Sequence, residues 1–169
     1  MLCVLARIDE QARCRLRLLQ KEAEKCGIPL RHLHGHITLA VYTGEEPTAF
    51  AKVCKQILTR YHAFAVHYEH LAILREPSTI VACLSKTGVL DDLQSRIAVE
   101  WAEKLNIWSQ RSVWLPHTTL VQDPQSDLDT VLKTMKSQFE PFDAAVSCIE
   151  FSLVKQDGYE IIDSVYLKE

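Results

Sequence analysis

Two hydrophobic periodicities alternate along the chain. Four segments carry apolar residues at helical spacing: Ala12, Leu16, Leu19, Ala23 and Cys26; Phe50, Val53, Ile57 and Tyr61; Leu90, Leu93, Ile97 and Trp101; Leu128, Val131, Met135 and Phe139. Each stripe covers one side of a helix and leaves polar residues on the other, so all four predict amphipathic helices packed on a core. Gly27 follows the first as its C′ residue, and Pro47 stands near the start of the second. Thr43 with Glu46, and Ser126 with Asp129, have the spacing of capping boxes.

Between the helices, segments 2–8, 36–42, 64–74, 79–85, 117–122, 144–154 and 159–167 are rich in β-branched and apolar residues and predict strands. Glu76-Pro77-Ser78 and Gln156-Asp157-Gly158 predict hairpin turns. The order is strand, helix, strand, helix, strand, stated twice, with one further strand at the end. Corresponding strands stand at a nearly constant offset: 2–8 against 79–85, 36–42 against 117–122, and 64–74 against 144–154. We therefore expect one domain over 1–169, of two pseudo-symmetric α+β lobes facing each other across a groove, with repeat halves of roughly 1–76 and 77–169.

Composition narrows the function. A chain of 169 residues, 47% hydrophobic and 24% charged, has an ordinary globular balance, and 5 Gly with 6 Pro exclude collagenous or Pro/Gly-rich disordered classes. A net charge of −3 excludes a general polyanion binder, so any nucleic acid must meet a locally favourable groove. Apolar runs are far shorter than the ~20 residues of a membrane span. The start, Met1 to Arg7, has no basic stretch before its apolar residues, unlike a signal peptide. The six cysteines are scattered without a Cys-x-x-Cys pair and read as reduced, mostly buried thiols, which predicts a cytoplasmic location.

The halves match in residue identity at one place. His36-Ile37-Thr38-Leu39 and His117-Thr118-Thr119-Leu120 occupy equivalent strands, where chance predicts on the order of 0.05 copies of His-x-Thr-Leu in such a chain. Side chains two apart on a strand share a face, so each lobe offers one imidazole and one hydroxyl to a common surface. Two histidines can divide the work of general base and general acid, since imidazole titrates near ~6.5. Two hydroxyls can donate to the non-bridging oxygens of a phosphate. The set suits phosphoester cleavage or transesterification without a metal or organic cofactor. No Gly-x-Ser-x-Gly elbow supports a serine hydrolase.

On these residues the chain resembles the 2H phosphoesterase superfamily, and within it is most similar to bacterial proteins of the 2′-5′ RNA ligase type. Their first motif resembles the string His36 to Ala40, and their second often has Pro before the histidine, as Pro116 stands here. The resemblance implies a duplicated α+β fold: two antiparallel sheets flanking a central groove, with helices on the outer faces. It implies His36 and His117 as the acid–base pair, and Thr38 and Thr119 as phosphate-orienting hydroxyls. The substrate would be a nucleotide or RNA end with a 2′,3′-cyclic phosphate or 2′-5′ linkage, taken up by a monomer with no membrane partner. Several members carry an Arg shortly after the second motif, where this chain has Leu120-Val121-Gln122. That departure weighs against a 2′-5′ ligase and leaves open a non-catalytic RNA-end or nucleotide-binding module.

Other groove candidates are positional. Arg31 and Arg111 precede the motifs and would attract a phosphate; Trp108 and Trp114, in the second loop, could stack on a base. Tyr42 falls on the face of His36 by strand parity. His32, His34 and His36 alternate, yet lack acidic or thiol partners for a metal. His62, His67 and His70 read as structural or surface residues.

Overall fold

The hydrophobic pattern forms every element it predicts. The computed structural model describes residues 1–29, 35–44, 46–76, 78–86, 88–123, 126–155 and 158–169. In order they form β1 (Leu2–Ile8), α1 (Glu10–Lys25), β2 (His36–Tyr42), α2 (Pro47–Leu58), β3 (Phe64–Leu74), β4 (Thr79–Leu84), α3 (Gly88–Val99), β5 (His117–Gln122), α4 (Leu128–Lys136), β6 (Phe142–Lys155) and β7 (Gly158–Tyr166). Two short 3-10 turns, Ala102–Lys104 and Ile107–Ser109, shape the connection from α3 to β5.

The strands pair antiparallel in the order β2-β1-β6-β3-β4-β5, and β7 adds to β6. Hydrogen bonding is therefore continuous, which corrects the expectation of two separate sheets. The cause is the 14-residue length of β6: its first residues pair with β3, and its later ones lie between β1 and β7. One strand thus belongs to both arms.

The order is unchanged when β1, β2 and β3 are exchanged for β4, β5 and β6. Within that symmetry each half gives its third strand away: β3 pairs with β4 of the second half, and β6 pairs with β1 of the first. The two exchanged strands meet around the Val66–Ala144 pair. Spatial arms and sequence halves therefore do not coincide.

Helices α1 and α4 pack together against the arm of β3, β4 and β5, while α3 packs on β2 beside α2. Along β1, Leu2, Val4, Ala6 and Ile8 join the core beneath the helices, as Ile80, Ala82 and Leu84 do along β4. Alternation sends Cys3, Leu5 and Arg7, and Thr79, Val81 and Cys83, to the opposite face. Fully buried Leu16, Leu90 and Leu93 anchor α1 and α3, each side chain worth about 1.5–3 kcal/mol in transfer terms.

The ends of the helices are set locally. Asp9 caps α1 by accepting from the Ala12 amide at 2.9 Å. At its other end Gly27 (φ +87°) donates to Glu24 O and Ile28 to Ala23 O, the paired bonds of a Schellman turn. Neither capping box forms. Glu46 is itself the N-cap of α2 and makes no side-chain cap bond, and Asp127 rather than Ser126 caps α4. The ionised Asp127 is the stronger acceptor for the Asp129 and Thr130 amides, while Ser126 turns to Asp123. Cys3, Cys54, Cys83 and Cys148 are buried, whereas Cys14 on α1 and Cys26 at its C-cap are exposed. Among the described residues no helix is long and apolar enough to cross a membrane.

Candidate active site

Strands β2 and β5 end the two arms, and the curl of the sheet brings them side by side. Thr118 Oγ1 donates to the His36 carbonyl at 3.0 Å, and Trp114 Nε1 donates to the Thr38 carbonyl at 2.9 Å. Thr118 is nearly fully buried and also contacts the Tyr68 hydroxyl at 2.7 Å. Its one proton goes to His36, so Tyr68 must donate to it. The middle residue of the second motif thus clasps the two motif strands together.

Both motif strands carry a β-bulge at the same point. Val4 pairs with Ala40 but Leu5 pairs with Thr38, leaving Leu39 as the extra residue. Ile80 pairs with Val121 but Val81 pairs with Thr119, leaving Leu120 extra. Each bulge reverses the alternation beyond it. His36, Thr38 and Val41 therefore share the groove side in β2, as do His117, Thr119 and Gln122 in β5, and the burial along both strands follows that pattern.

This reversal corrects the placement of Tyr42. Simple parity puts it beside His36; the bulge turns it into the core, 3% exposed, with its hydroxyl donating to Ile97 O at 2.6 Å. Burial raises its phenol far above the ordinary range. Tyr42 is a packing residue, not a wall of the groove.

Thr38, His117 and Thr119 line a groove of about 460 Å³ together with Trp114, Trp108 and Gln122. His36, half-buried and two residues before Thr38 on the same strand face, is not among the described lining residues, and the Tyr159 ring stands edge-on to it at 5.9 Å between centroids. Trp108 is 58% exposed and Trp114 nearly buried. Among the described lining residues there is no Lys or Arg. Arg111 is exposed and does not line the groove. Arg31, His32 and His34 lie outside the described residues. Among the described residues, no group of three or more His, Cys, Asp or Glu could hold a metal ion.

The ionisation of His117 follows from its surroundings. Its Nδ1 lies 2.7 Å from the Leu115 carbonyl, an atom that only accepts, so Nδ1 carries the proton and Nε2 holds a free pair. Burial disfavours the imidazolium and outweighs the Leu115 bond, so the pKa falls below its ordinary value.

Arg7 is the residue that sequence reasoning passes over. It stands directly across from His36 in the register of β1 and β2, hence on the same face, whereas its counterpart across from His117 is Cys83. Its guanidinium pairs with Glu150 at 3.2 Å and reaches the Tyr166 hydroxyl at 3.4 Å. Nothing in a seven-residue apolar strand announces this, because it depends on cross-strand register.

The family model described as the 2′-5′ RNA ligase superfamily matches residues 7–160. No curated protein matches the chain significantly. Among solved structures, TT0787 of Thermus thermophilus is similar with a TM-score of 0.69 at 16% identity, over 99% of this chain and 97% of that one. Escherichia coli LigT complexed with 3′-AMP gives a TM-score of 0.67 at 16% identity, over 99% and 98%. Usb1 of Kluyveromyces marxianus gives 0.54 at 12%, over 98% and 96%. At these identities the likeness is one of fold.

Proposed function

The chain belongs to the 2′-5′ RNA ligase superfamily, and from that premise we propose that it is a metal-independent phosphoesterase cleaving a 2′,3′-cyclic phosphate or a 2′-5′-linked ribonucleotide. The observation that carries this reading is the doubled motif: two His-x-Thr-Leu strands with identical bulges, clasped by Thr118, that turn their His and Thr residues to one side.

His117 has the features of the base. Neutral, with its free pair on Nε2, it takes a proton from water as the water oxygen bonds to phosphorus. His36 in its protonated form gives its proton to the ribose oxygen as the P–O bond breaks, so protons balance over the turnover. The Thr38 and Thr119 hydroxyls donate to the non-bridging oxygens, where charge builds in the transition state. Trp108, exposed on the groove wall, offers an aromatic face to a base, while buried Trp114 packs in the core and holds the Thr38 carbonyl.

Gln122 stands on the groove wall shortly after the second motif, where the ligase-type members carry an Arg, and this supports cleavage over ligation. E. coli LigT, which shares this fold, has been crystallised with 3′-AMP, phosphate, NADP+ and ATP, which supports a ligand of the nucleotide class for this chain. The free thiols fit a reducing, cytoplasmic compartment.

The test is turnover of 2′,3′-cyclic mononucleotides and 2′-5′ dinucleotides, with and without chelator. His36→Ala and His117→Ala should each lower kcat by ~10²–10⁴-fold with the fold intact, and chelation should leave the rate unchanged. Full activity in either variant defeats the reading. Binding without product makes the chain a binding module instead.

A further inference from the structure

Two buried glutamines repeat the symmetry of the motifs without belonging to them. Gln20 on α1 is 8% exposed and Gln94 on α3 is 1% exposed, each in a core otherwise dominated by apolar side chains. A buried amide is costly unless it is hydrogen-bonded, so its partners show what it is for.

Those partners are the bulge residues. Gln20 Nε2 donates to Leu120 O at 3.2 Å, and Gln94 Nε2 lies 3.4 Å from Leu39 O. Leu39 and Leu120 are the extra residues of β2 and β5, each one position after the Thr of its motif. A bulge residue sits out of the sheet ladder, so its carbonyl needs a partner from elsewhere. Each glutamine reaches across the repeat: Gln20, from the first half, holds the strand of His117, and Gln94, from the second, holds the strand of His36.

Gln94 does more than its counterpart. It also donates to Ser109 O at 2.7 Å, and Ser109 Oγ accepts from the Val41 amide at 3.0 Å. It therefore ties β2 to the loop that presents Trp108 and Trp114, whereas among the described residues Gln20 bonds to β5 alone.

We propose that Gln20 and Gln94 are positioning residues that fix the two bulges, and through them the aim of His117–Thr119 and His36–Thr38. The catalytic consequence rests on the phosphoesterase reading; the geometric one does not. An error near 1 Å in a reacting group can cost about 10²-fold in rate, so loss of either bond should reach turnover.

The experiment compares Gln20→Met and Gln94→Met, which keep length but cannot donate, at a temperature where circular dichroism shows both folded. Gln20→Asn and Gln94→Asn, too short to reach, replace any Met variant that does not fold. Imidazole resonances are followed by NMR through a pH titration, and kcat and KM are measured on a 2′,3′-cyclic mononucleotide. The Gln20 variant should shift the His117 resonances and leave His36 unchanged; the Gln94 variant should do the reverse. In turnover, the Gln20 variant should lose about tenfold or more in kcat with KM within twofold, while the Gln94 variant should also raise KM. Resonances unmoved in both variants, or both histidines shifting alike in each, would overturn the proposal. So would a kcat within twofold of the parent in an active enzyme. An inactive parent defeats the phosphoesterase reading alone, and the resonances still decide the positioning.

Discussion

Replacing Thr118 by Val tests whether the two motif strands are held together as described. Valine keeps the shape of the side chain and deletes its oxygen, which accepts from Tyr68 and donates to the His36 carbonyl. Tyr68 is fully buried, so its hydroxyl is left without that partner in an apolar environment. Such a stranded group costs about 1–3 kcal/mol, and loss of the bond to the less buried His36 carbonyl adds about 1 kcal/mol. We expect a total near 2–4 kcal/mol in urea unfolding at constant m, and a Tm lower by about 5–15 °C for a chain of this size. Adding Tyr68→Phe removes the stranded hydroxyl, so the double variant should be less damaged than the sum of the singles by about 1 kcal/mol. Turnover per folded molecule should fall as well, because β2 loses its tie to β5. A Thr118→Val protein within 0.5 kcal/mol of the parent, or strict additivity with Tyr68→Phe, would refute the clasp.

Other expectations are as specific. Gly35 precedes His36 at φ +61°, and a Cβ there would lie 3.3 Å from Arg13 Cγ; Gly35→Ala should cost about 1–2 kcal/mol in unfolding experiments and lower kcat beyond the stability loss. Because burial depresses the His117 pKa, the acid limb of kcat/KM should have its midpoint below 6.5, the rate rising with pH as the imidazole loses its proton; a midpoint above 6.5 contradicts His117 as base. Asp9 is pushed upward by burial, but bonds from the amides of Ala145, Ala12 and Gln11 outweigh this and hold its pKa below the usual value. Its contribution is present above pH ~4 and lost as pH falls further, so Asp9→Ala should cost about 0.5–2 kcal/mol at pH 7, and the difference from the parent should shrink in acid denaturation series.

Most of the fold is written in local patterns, and most of the site is not. Helical stripes such as Leu90, Leu93 and Ile97 define an element wherever it packs, because one face must be buried. The matching motifs reveal themselves by repetition. Tyr42 shows the limit: parity carries correctly from His36 to Thr38 and fails at Leu39, where a bulge set by pairing with β1 inserts one residue. Bulges, registers and exchanged strands arise from partners distant in the chain. For the same reason Arg7, Gln20 and Gln94 look like ordinary strand and helix residues until their neighbours are known. The helix starts near 46 and 126 fail in another way, since Thr43 turns its hydroxyl to the distant Lys104 carbonyl and Asp127 takes the capping role from its neighbour Ser126.

The donated third strands have a consequence for how such a chain could arise. A polypeptide of one half alone would own an unfilled place beside its first strand and a surplus strand that fits the same place in a twin. Two copies would complete one another as a closed homodimer, already presenting two imidazoles to a shared cleft. Joining the copies end to end would preserve that reciprocal embrace and free each side to diverge, which is the condition in which an arginine on one flank and a cysteine on the other can coexist.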